Sequence, residues 1–192
     1  MKMSLKDFFG YLLILFTFSL ILIVTFPQVY SNNSFGRIDK KILLDFDFLK
    51  KEKKPIILLF FGFVSCGDIC TPAMNELKDI YGNIQKDKVS VYFLNVLNTT
   101  DKEAPVLYAK TFNKNFIGLY LEKEEINKIS LKLDLAISKI SKERINHTGH
   151  LFLLDKDLNS KYNLKYIYTT RPFDKKSIAH DINTLSNERE EK

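Results

Sequence analysis

Cysteine is nearly absent from this chain, with only Cys66 and Cys70 among 192 residues. So few thiolates exclude iron–sulfur ligation. They also leave a closed structural zinc site short of donors, because the sequence announces no fourth ligand. Histidine is almost as scarce, limited to His147, His150 and His180. No alanine occurs before Ala73, so the small residues of a signal-peptide cleavage site are lacking near the amino terminus. Internal repeats are absent, and so is the interleaving of basic and aromatic residues that marks nucleic-acid binding. No nucleic-acid partner is expected.

What is present suits one domain with an appendage. Hydrophobic residues make up 45% and charged residues 27%, enough for a packed core and against global disorder. The formal net charge of +6 is thinly spread. Its one dense run, Lys50, Lys51, Lys53 and Lys54, reads as a solvated loop, with contact to a membrane surface or acidic partner as the sharper reading.

The appendage is the uncharged stretch Phe8 to Phe26, FFGYLLILFTFSLILIVTF. At about 1.5 Å per residue it would span roughly 28 Å, close to the hydrocarbon thickness of a bilayer. Its length and lack of small residues predict an uncleaved transmembrane anchor, and its lack of cysteine excludes a lipidated one. Lys2 and Lys6 precede it, and the next basic residue is Arg37. The positive-inside rule then keeps residues 1–7 in the cytoplasm. Residues 27–40 form a linker, 41–187 a domain outside the cytoplasmic (inner) membrane, in the periplasm of a two-membrane host, and 188–192 a frayed polar tail.

Within the domain, Lys41 to Leu49 suggests a short strand. Pro55 to Phe63 is a continuous apolar run, as in a strand buried on both faces. After the cysteines, Met74, Leu77, Ile80, Tyr81 and Ile84 recur at helical spacing, with Thr71 placed to cap the helix and Pro72 in its first turn. Val89 to Val96 reads as a strand and Glu103 to Phe112 as a helix. A short extended piece follows at Asn115 to Leu119. Ile126, Ile129, Leu133, Ile137 and Ile140 predict a longer helix. His150 to Leu154 and Tyr162 to Tyr168 form a hairpin about the turn-prone segment 155–159. A last helix covers Asp174 to Ser186. This order predicts an α/β fold, a mixed sheet flanked by helices. It matches the thioredoxin-like layout, with the cysteines between the first core strand and its helix.

The local sequence is Phe61-Gly-Phe-Val-Ser-Cys66-Gly-Asp-Ile-Cys70-Thr-Pro72. A strand end feeding a helix amino terminus favours thiolates. One helical turn brings positions i and i+4 within roughly 6 Å, compatible with a disulfide or with two thiolates on one ion. A purely structural disulfide is the weaker reading, since so small a loop constrains little of the unfolded chain. Asp68, in the loop, opposes thiolate formation if close. His180 reads as a surface residue and His150 as a strand residue. His147 lies in a loop before that strand, where ligands and catalytic groups collect. Loop position favours it over His150 only softly. Two thiolates and an imidazole suit copper.

The chain resembles the SCO/SenC family of copper-binding, thioredoxin-like assembly factors. LLFFGFVSCGDICTPAMNEL is similar to that family's strand, C-x-x-x-C loop and helix. NVLNTTDKEAPVLYAKTFNKNFIGL and INHTGHLFLLDKD are similar to two later segments. Gly67 stands where the family has proline, and Leu97-Asn-Thr-Thr lacks a frequent Asp-Pro; neither change removes a ligand. The resemblance implies Cys66, Cys70 and His147 as copper ligands, with Cys66 and Cys70 doubling as a redox pair. It implies a metallochaperone for the binuclear copper centre of cytochrome c oxidase. The expected partners are that centre's subunit and periplasmic copper chaperones or thiol reductants. Two other activities stay open at this point: a thiol-disulfide oxidoreductase acting on partner cysteines, and a redox or copper sensor.

Overall fold

The computed structural model describes residues 5–30, 36–97, 101–135, 137–139, 145–147 and 149–190, with side chains for 8–22, 36–97, 101–135 and 149–190. It divides into two units, Met1–Ser34 and Phe35–Lys192. The first holds helix α1 (Leu5–Tyr30). Its described side chains, Phe8 to Leu22, are exposed. Among the described residues no helix is long and apolar enough to cross a membrane. The expectation of a helix over residues 8–26 is met; that of a membrane span is not shown.

The second unit is a six-stranded mixed sheet in the order β1-β8-β7-β2-β3-β4. Its strands are β1 (Arg37–Leu44), β2 (Ile56–Gly62), β3 (Val89–Asn95), β4 (Ile117–Tyr120), β7 (Leu151–Lys156) and β8 (Tyr162–Tyr168). Strands β2, β3 and β4 run parallel, and β7, β8 and β1 join antiparallel. Every residue of β2 and β3 is buried, which is why their sequences are continuous apolar runs rather than alternating ones. Alternate side chains enter two cores. Ile56, Leu58 and Phe60 face one side with residues of α3 (Cys70–Gly82), α4 (Ala104–Phe112) and α6 (Lys175–Asn187). Ile57, Leu59 and Phe61 face the other with residues of α2 (Asp47–Lys50) and α5 (Lys123–Leu133).

Several boundaries differ from the sequence reading. β1 starts at Arg37, inside the stretch expected as linker, and the expected strand over 41–49 ends in α2. Helix α5 stops at Leu133, because Asp134 adopts a left-handed conformation (φ 52°). Ile137 lies instead in β5 (Ile137–Lys139), which pairs with β6 (Ile145–His147) in a small antiparallel sheet; residue 140 lies outside the described residues. The tail is tied rather than frayed at Arg189, whose guanidinium donates to Asp155 Oδ1 at 2.6 Å. The lysine run is likewise engaged: Lys54 Nζ donates to the carbonyls of Lys86 and Val89, and Lys50 Nζ to Asp47.

Candidate functional site

The parallel strand β2 delivers the chain to the cysteine loop. Ser65 turns there with φ 79°, and the buried amide of Asn95, at the end of β3, holds the turn. Its Oδ1 accepts the Val64 N–H at 3.2 Å, while its Nδ2 donates to the Leu97 carbonyl at 2.6 Å.

Cys66 and Cys70 are both free of a disulfide and buried, with 8% and 0% exposure. Cys70 is the first residue of α3, and its N–H donates to Cys66 Sγ at 3.4 Å. The sulfur thereby accepts the first N–H of the helix, next to the positive end of the helix dipole. The expected cap, Thr71, is one residue inside the helix and makes none; its hydroxyl donates to the Cys66 carbonyl and pairs with Tyr108 Oη, both at 3.2 Å. Burial pushes the Cys70 thiol well above its ordinary range, and a hydrogen bond to Cys66 adds to the rise. The two sulfurs are therefore unequal. Cys66 lies nearer the surface with a donor aimed at it, and Cys70 is the deeply buried partner.

Two residues that sequence reasoning missed complete this side of the site. Gly62 lets Cys70 approach: a Cβ there would fall 2.8 Å from Cys70 Sγ and 2.8 Å from a Phe93 ring carbon. The glycine interrupting the apolar run was the available signal. Arg171 interacts electrostatically with both sulfurs. Its guanidinium lies 4.1 Å from the ring centre of Phe173 and 5.1 Å from that of Phe60. Nothing in the spacing of Thr-Thr-Arg171-Pro172 pointed to it, because the contact is made across more than a hundred residues.

The histidines separate. His180 is exposed on α6. His150 is half-buried beside Phe152, and burial, then Arg171, hold its imidazole below the ordinary value. His147 ends strand β6 rather than lying in a loop, and its side chain lies outside the described residues. Among the described residues no three histidine, cysteine or acidic side chains form a metal-holding group. Two soft, adjacent sulfurs nonetheless fit a thiophilic ion such as copper.

Comparison with known proteins agrees with this architecture. The SCO1/SenC family model matches residues 51–186. An SCO2-like protein of Rickettsia felis is 26% identical over 125 residues, covering 60% of this chain and 60% of its own. This chain thus spans about 60% of the length of that curated relative. The crystal structure of Arabidopsis thaliana ScoI with copper bound superposes with a TM-score of 0.61 at 22% identity, covering 79% of this chain and 99% of the other. The solution structure of apo Sco1 from Thermus thermophilus gives 0.57 at 23%, covering 79% and 91%. At such identities the structural likeness establishes the fold, which is thioredoxin-like.

Proposed function

The chain belongs to the SCO1/SenC family, and from that premise we propose that it is a membrane-anchored copper carrier serving assembly of the binuclear copper centre of cytochrome c oxidase. The observation that carries the reading is the buried, unbridged Cys66–Cys70 pair, with the Cys70 N–H aimed at Cys66 Sγ. Copper is cargo in this reading. Taking it up as a dithiolate complex requires both thiols to release their protons, so loading is favoured as pH rises. Oxidation removes two electrons and two protons as a Cys66–Cys70 disulfide forms, and the donor set is lost. His147 supplies the third ligand.

The chain two residues further on supports that role. Gly149 sits against Ile69 between the cysteines: a Cβ at Gly149 would lie 3.3 Å from Ile69 Cγ2. The copper-bound plant relative supports the choice of ion. The uncharged stretch 8–26 anchors the protein in the cytoplasmic membrane with its domain in the periplasm, near the copper-centre subunit and any copper chaperone or thiol reductant that serves it.

Copper analysis of the reduced full-length protein tests this reading. About one copper per chain is expected, lost in Cys66→Ser and bound about tenfold more weakly in His147→Ala. Failure of the wild type to bind copper removes the carrier reading. The unequal sulfurs favour a second one, thiol-disulfide exchange with partner cysteines through Cys66. Partner reduction that survives unchanged in His147→Ala, with poor copper affinity, would select it.

A further inference from the structure

We propose that Arg171 is a positioning residue that latches the backbone at Gly149 against the cysteine loop and so presents the end of β6, with His147, to Cys66 and Cys70. The inference rests on the copper-carrier reading for its ligand.

Arg171 Nη2 donates to the Gly149 carbonyl. The same guanidinium is stacked on Phe173 and Phe60, whose side chains are almost fully enclosed. Phe60 belongs to the strand that leads into the cysteine loop, so the latch is mounted on the rigid sheet. Glu76 of α3 secures the far side: its carboxylate faces the guanidinium, and its Oε2 accepts the Phe173 N–H at 3.0 Å. Gly149 itself is gripped from two directions. It adopts φ +56°, and a Cβ there would fall 3.3 Å from Arg171 Nη2 and 3.3 Å from Ile69 Cγ2. Helix α3, the cysteine loop, Gly149 and Arg171 are thus in continuous contact.

Gly149 precedes β7, which begins at Leu151. Arginine suits the task where lysine does not. Its planar fork can lie flat on two rings and donate in its own plane, whereas an ammonium on a flexible stem holds no such orientation.

The test uses the full-length reduced protein, with His147→Ala, Arg171→Leu, their double variant and Arg171→Lys. In the copper-free state, amide hydrogen exchange at residues 149–150 is expected to accelerate about tenfold in Arg171→Leu, with β2 and α3 unchanged. Cu(I) affinity, measured by competition with a chromophoric chelator, is expected to fall as far in Arg171→Leu as in His147→Ala, and no further in the double variant. Unchanged exchange at 149–150, or fully additive losses, would overturn the latch. If Arg171→Leu loses protection in β2 and α3 too, Arg171→Lys decides instead. Acceleration confined to 149–150 supports the latch, and wild-type rates there overturn it. Should His147→Ala bind Cu(I) like the wild type, the ligand reading fails, while exchange still decides the latch.

Discussion

A methyl group on Gly62 would collide with the Cys70 sulfur and with Phe93, each at 2.8 Å. Phe93 is fully buried, so the ring cannot yield without disturbing the core. The sulfur can yield only by leaving Cys66. Gly62→Ala is therefore expected to destabilise the protein by about 1–3 kcal/mol, the usual cost of overpacking, read from the shift in urea midpoint. Gly67→Ala is the control, because nothing lies within 4 Å of its Cβ position; its midpoint should match the wild type. At this scale the cysteine pair was legible, since two thiols one helical turn apart must be neighbours. Gly62 and Arg171 were not, because their importance lies in which distant atom they approach.

Elements built from strong local patterns were read correctly, and those ended by a single backbone conformation were not. β2, β3 and β8 follow from apolar runs and their flanking turns. The extent of α5 did not, because Ile137 and Ile140 continue its spacing. Ser130 accepts the N–H groups of both Asp134 and Leu135 at the helix end, and Asp134 pays for this closure with φ 52°. Glycine adopts that conformation without a Cβ penalty. Asp134→Gly is expected to raise stability by about 0.5–1 kcal/mol, seen as an increased melting temperature; a decrease would show that the Asp134 side chain outweighs the backbone cost.

Over the whole molecule, the loop after α2 is bound to three strands through Glu52. Tyr92 Oη of β3 donates to its carboxylate at 2.6 Å, and the Lys53 and Lys54 N–H groups donate to it at 2.8 Å each. Its carbonyl accepts from Lys156 of β7 at 2.8 Å and from Tyr162 of β8. Burial pushes the Glu52 carboxyl upward, but hydrogen bonds from Tyr92, Lys54, Ser90 and Lys53 together outweigh it and hold it below its ordinary value of 4.5. A carboxyl lowered on folding stabilises the protein above its unfolded value, and that contribution fades as pH falls through the folded one. The stability difference between wild type and Glu52→Gln should accordingly be largest near pH 7 and shrink below pH 4.5. Urea denaturation across that range measures it, and a difference independent of pH would exclude the ionised carboxylate as its source.

The sequence by itself determined the mixed sheet, the position of the cysteines at the end of its first core strand, and the family, because hydrophobic periodicity and a local C-x-x-x-C spacing are properties of contiguous residues. Only the tertiary structure decided that Cys66 Sγ accepts the first N–H of the helix Cys70 begins, that Gly62 makes room for the buried sulfur, and that Arg171 reaches the Gly149 backbone. Those are contacts between segments far apart in the chain, fixed by how the layers pack.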